Sequence, residues 1–99
     1  MTTKRAPIHP GEILKREFLD ELHLSAYALA KALRVPANRI TGIINGERAI
    51  TADTALRLSR YFDTTPEFWL NLQTHHDLTV TSRQAARQIE REVPKMVAA

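Results

Sequence analysis

The chain contains no cysteine. Disulfide staples and thiolate-ligated zinc are therefore excluded, and a reducing compartment is the natural setting. No apolar run is long enough to span a bilayer, and the opening stretch MTTKRAPIHP lacks the apolar core of a secretory signal. A soluble, cytoplasmic protein with no membrane partner is expected. With no glycine-rich linker, internal repeat or low-complexity segment, the 99 residues suit one small domain. Catalytic signatures are also missing: there is no HExxH, phosphate loop or dinucleotide fingerprint. The four histidines are His9, His23, His75 and His76, and the adjacent pair would point in different directions on a helix. Ser25 has no local His or Asp to activate it. No metal, cofactor or small-molecule substrate is expected, and no enzymatic activity.

Acid is absent in one informative window. Between Leu22 and Gly46 there is no Asp or Glu, whereas Lys31, Arg34 and Arg39 lie inside it and Arg48 just beyond. The overall excess is mild, a net charge of +3, so its placement matters more than its size.

The same window holds two short helical patterns. Ser25 is a good N-cap ahead of an Ala- and Leu-rich run in which Leu29, Ala30 and Leu33 form one apolar stripe. Arg34-Val35-Pro36 ends that run, because proline disfavours helix at the residue before it and suits the start of the next helix. Ile40, Ile43 and Ile44 then mark an apolar face, Asn38, Arg39, Thr41 and Asn45 a polar one, and Asn45-Gly46 a stop. Helix, short turn and helix with a polar outward face is the helix-turn-helix plan, whose second helix enters the DNA major groove. A basic surround is the matching electrostatic footprint.

The flanks read as further helices. Residues 1–8 are expected to form a flexible arm in which Lys4 and Arg5 are incidental charges. His9-Pro10-Gly11-Glu12 starts a helix running to about Glu21 or Leu22, with Ile13, Leu14, Phe18 and Leu22 inward. Glu17, Asp20 and Glu21 fall on its outer side. Thr51 caps a fourth helix packed through Ala55, Leu58, Ser59 and Phe62, broken at Asp63-Thr64. Thr65-Pro66-Glu67 starts a fifth, whose Phe68, Trp69 and Leu72 complete the core. The β-branched stretch Leu78-Thr79-Val80-Thr81 is expected to interrupt it, with Ser82 capping a short last helix that ends at Pro94. Arg83, Arg87 and Arg91 would line a solvated face of that helix. A chain of this size often gains stability by dimerising.

HPGEIL (9–14), LSAYALAKAL, VPANRITGIINGERAIT, ALRLSRYF and TTPEFWLNLQ together resemble the HigA-type antitoxins, helix-turn-helix proteins of the Xre/Cro/C1 type. The resemblance covers about residues 8 to 78. It implies an all-α, five-helix fold of residues 9–78 with the motif at 26–45, followed by a C-terminal extension at 79–99. It also implies a homodimer bound to a palindromic operator in its own promoter, and a partner toxin, a HigB/RelE-like messenger-RNA endonuclease, that the antitoxin neutralises.

Carried onto this chain, the family's groove-facing positions are Pro36, Ala37, Asn38, Arg39, Thr41 and Gly42. Of these, Asn38 can pair bidentately with adenine, Arg39 with guanine or a phosphate, and Thr41 with a base edge or a thymine methyl. Lys31, Arg34, Asn45 and Arg48 are the expected phosphate contacts. Two departures from the family pattern stand out: Ala26 occupies a position where glutamine is frequent, and Arg34 one where glycine is usual. The second requires a left-handed arginine. An RNA-cutting toxin is basic in expectation, which makes Glu17, Asp20 and Glu21 the candidate toxin-facing surface. The alternatives are a stand-alone regulator of the same fold, or an interaction module that no longer binds DNA.

Overall fold

Helix starts in this chain are fixed by short side chains at the caps. The computed structural model describes residues 6–97, so Lys4 and Arg5 and most of the expected arm lie outside the described residues. His9 is extended (φ −73°, ψ 141°), and its Nδ1 accepts from the Gly11 amide at 2.9 Å. Helix α1 (Pro10–Ile13) begins there, with proline at the position whose N–H would be orphaned anyway. Ser25 accepts from Ala28 N (3.0 Å) to open α2 (Ala26–Leu33). Thr51 does the same for α4 (Ala52–Phe62), and Thr65 for α5 (Pro66–Glu92). Only α3 (Ala37–Ile44) starts without a side-chain cap: Pro36 is its N-cap, one place earlier than the first helical position expected of it. Five helices and no strand, among the described residues, make the all-α fold that the sequence leads one to expect.

The first helix does not run on as an α-helix to Leu22. From Leu14 to Leu19 it widens into a π-helix, in which the Asp20 amide reaches back five residues to the Lys15 carbonyl at 2.8 Å. This adds one residue to the inward repeat. Leu14 and Leu19, five apart, are both buried, and Leu24 N again bonds Leu19 O. Leu22, expected inside, is 58% exposed. His23, at φ 52°, then turns the chain.

The expected break at residues 78–81 is absent, and Ser82 caps nothing. Helix α5 runs unbroken for 27 residues. β-Branched residues cost a helix only some tenths of a kcal/mol each, and neither Gly nor Pro occurs between Pro66 and Pro94 to stop it. Thr79 satisfies its own hydroxyl by donating to the His75 carbonyl at 2.8 Å. Although α5 is long, no helix among the described residues is both long and apolar enough to cross a membrane.

The core gathers Leu14, Leu29, Ile40, Ile43, Leu58 and Trp69, all fully buried. Trp69 reaches it from α5 with its indole N–H donated to Thr64 Oγ1 at 2.8 Å, so the buried polar atom is satisfied. Phe18 packs on Phe62 (4.8 Å between centroids) and on Trp69 (4.9 Å), joining the π-helical stretch to α4 and α5. Gly11 sets the approach of α1 to α3: a Cβ there would collide with the Ile43 carbonyl oxygen. Only glycine allows that backbone-to-backbone contact.

Candidate nucleic-acid interface

Backbone first fixes the angle between α2 and α3. Arg34 adopts φ 61°, ψ 43°, the left-handed conformation expected of it. Its amide and that of Val35 bond the last carbonyls of α2, Val35 N to Ala30 O at 3.0 Å. A left-handed non-glycine residue costs roughly 1–2 kcal/mol, here offset by those bonds. The apolar residues of α3 then settle its rotation. Ile40 and Ile43 are buried, and Ala37 and Ile44 pack against the same cluster. The opposite side must face outward: Asn38, Thr41 and Asn45, spaced i, i+3, i+7, make its polar row.

The ten expected DNA-contacting residues fall into three groups. Pro36, Asn38, Lys31, Arg34, Asn45 and Arg48 are exposed. Ala37, Arg39 and Thr41 are half-buried. Gly42, expected in the groove-facing row, is buried. The Arg48 stem lies over it, and a Cβ at Gly42 would stand 2.5 Å from Arg48 Cδ. The Gly42 carbonyl also accepts from the amides of Glu47 (2.8 Å) and Arg48 (3.1 Å). Gly42 therefore seats the loop that carries Arg48, and does not itself face outward.

Arg39 has a partner that its neighbours in sequence do not reveal. Its Nη1 donates to Asp53 Oδ2 at 2.7 Å. The same oxygen accepts from Arg57 Nε at 2.9 Å, and Arg57 Nη1 donates to the Leu33 carbonyl at 2.8 Å. First the Arg57 hydrogen bond and then the Arg39 bond hold the Asp53 carboxyl below its ordinary range. Arg39, Arg48 and Arg57, with Thr51 and Thr54 at the start of α4, line an open pocket of about 440 Å³. Arg57 was not among the expected residues. Its i, i+4 spacing from Asp53 was the available signal.

Two contacts from α5 reach across the domain, one to the loop between α3 and α4 and one to the start of α1. Gln73, buried, accepts from Ile50 N at 2.7 Å and donates to Asp77 at 2.9 Å. The His9 and His76 rings meet edge-on at 4.9 Å. Burial, then His76, lower the His9 pKa, against weaker raising effects from Asp77, a hydrogen bond to the Arg48 backbone and Glu12. The Nδ1 lone pair that caps α1 belongs to the neutral ring.

Glu17, Asp20 and Glu21 are all exposed. Their surroundings are mixed in charge, because Lys15 pairs with Asp20 at 3.3 Å and Arg16 with Glu12 at 3.3 Å. No cluster able to hold a metal ion occurs among the described residues.

A helix with a polar outward row, docked on its predecessor through a left-handed turn and ringed by arginines, defines a helix-turn-helix protein. The helix-turn-helix family model matches residues 15–69, more than half of the chain, which therefore belongs to that family. More particularly, it is 55% identical over 76 residues to virulence-associated protein I of Dichelobacter nodosus, covering 77% of this chain and 70% of that one. It superposes on the Pseudomonas aeruginosa antitoxin HigA with higBA promoter at a TM-score of 0.88 and 47% identity, covering 92% of this chain and 99% of that one. The antitoxin GraA in complex with its operator gives a TM-score of 0.89 at 47% identity, with 99% of each chain covered. The resemblance to HigA-type antitoxins thus holds in three dimensions as well as in sequence.

Proposed function

We propose that the chain is a DNA-binding antitoxin that represses its own operon as a homodimer and neutralises a HigB/RelE-like messenger-RNA endonuclease. The observation carrying the DNA half is the outward row of Asn38 and Thr41 on α3 and Asn45 at its C-cap, flanked by exposed Lys31, Arg34 and Arg48. Its support from likeness is that HigA and GraA, of the same fold, are seen with promoter and operator DNA. Asn38, Arg39 and Thr41 read base edges, while Pro36 and Ala37 shape the approach of α3. Lys31, Arg34, Asn45 and Arg48 hold phosphates. Helix α5 supports the dimer, since Leu78 and Ile89 stand exposed along its distal half with Val93 beyond its end. Two copies would present their α3 helices to half-sites about 34 Å apart or a multiple of it.

The test is titration of the full chain against a duplex of its own promoter and against scrambled DNA, over a range of salt. Asn38→Ala is expected to cost about 1–3 kcal/mol on the promoter and little on scrambled DNA. Equal losses on both would overturn its role as a reader. Neutralisation is tested by co-expression with the neighbouring reading frame. Relief of growth arrest supports it, and reversing Glu17, Asp20 and Glu21 should then abolish relief while sparing DNA binding. Promoter binding without any toxic neighbour would make the chain a stand-alone regulator.

A further inference from the structure

We propose that Asp53 is a positioning residue for base readout, holding the Arg39 guanidinium in the orientation from which it reads a guanine. The inference rests on the DNA-binding reading above. A free arginine has many rotamers, and near a phosphate backbone it is drawn to the nearest anion. Arg39 is constrained on both counts. Its Nη1 is tied to Asp53 at 2.7 Å, and Asp53 is itself fixed by Arg57 Nε at 2.9 Å. Arg57 in turn is anchored at 2.8 Å to the carbonyl of Leu33, the last residue of α2. Three helices are joined by this one chain of bonds, with Arg39 of α3 at its end.

Support of the α4 dipole would explain an acid in the first turn of that helix. It does not explain a contact to a guanidinium 14 residues earlier on the neighbouring helix. Asp53 also lies in the pocket lined by Arg39, Arg48 and Arg57, where its carboxylate offsets part of their positive charge. As a local counter-ion it lowers the pull of phosphates on Arg39. One bond to Nη1 also leaves other N–H groups of the five-donor fork for the O6 and N7 acceptors of guanine. Such an arginine is selected by acceptor geometry more than by charge.

The experiment starts with the full wild-type chain and a random duplex pool, from which its preferred site is selected by binding. Wild type, Asp53→Asn, Arg39→Ala and the double variant are then titrated on that site and on a scrambled duplex, with salt varied. Asp53→Asn is expected to lower the site-to-scrambled affinity ratio about tenfold, within the range for losing one bidentate base contact. Affinity for scrambled DNA should hold or rise, and its salt slope steepen by about one as a released arginine takes a phosphate. The double variant should match Arg39→Ala in the ratio, and Asp53→Glu should restore part of it. An unchanged ratio in Asp53→Asn, an equal loss on both duplexes, or additive losses in the double variant would overturn the proposal. A melting curve for each variant separates these outcomes from unfolding. Should wild type itself select no sequence, the DNA-binding reading falls and this inference with it.

Discussion

The two halves of α5 are covalently one helix and physically two. Its first half buries Trp69 and Gln73, sets His76 edge-on against His9 and holds the loop that follows α3. From Leu78 onward no described residue is buried, and Leu78 and Ile89 stand at 65% and 49% exposure. The backbone bonds of the distal half come from helix continuation alone. The contrast separates what shapes the domain from what remains available to a second molecule.

The strongest way to sharpen that contrast is truncation at its two ends. Trp69→Ala should cost about 3–5 kcal/mol in urea unfolding, for lost transfer energy and the cavity left behind. In the distal half, Ile89→Ala should stay within about 0.5 kcal/mol when measured on the monomer. A comparable cost at both positions would mean that the distal half packs on the domain after all. Next in size is Gln73→Ala, which leaves the buried Ile50 amide unpaired and should lose about 1–3 kcal/mol. Its DNA affinity should fall beyond what the lost stability explains, because the loop carrying Arg48 loses its anchor. Thr81→Pro tests continuity directly. It should reduce the helical circular-dichroism signal while the melting of the domain hardly moves.

The smallest effect is one of pH, on the buried side of the comparison. Folding lowers the His9 pKa below its ordinary value of 6.5, so the unfolded chain takes up the proton first. The neutral-His9 contribution is therefore complete above about pH 6.5 and is lost as pH falls toward the lowered folded value. Melting temperature followed over that window should decline toward acid in wild type and decline less in His9→Asn. Asp53 is also held low, and its contribution would fade only at more acidic pH.

Much of this was legible in the sequence because it is local. Ser25, Thr51 and Thr65 cap within three residues, and the turn at Arg34 follows from Pro36 two places on. Pattern reading failed where a single residue changes the period. Past the π-helical stretch the inward side moves on by one residue: Phe18 still packs on the core, but Leu19 is buried and Leu22 is turned out, and the hydrogen-bond pattern responsible leaves no mark in residue types. It failed again at Thr79 to Thr81, where weak propensities suggested a break that no residue there is strong enough to enforce. The burial of Gly42 leaves no local signal, because its cover, Arg48, arrives from the following loop. Arg39 and Asp53 are individually visible, but their meeting depends on how α4 docks on α3.

Gly11 has a mechanical corollary. Side-chain contacts yield, since rotamers can rearrange to absorb a shift, whereas the α1 backbone lies directly on the Ile43 carbonyl of α3. There is no slack in that joint. Fixed at one end by proline and a histidine cap, α1 acts as a rigid stop, and the height at which α3 stands above the body of the domain is set by the thickness of a bare peptide.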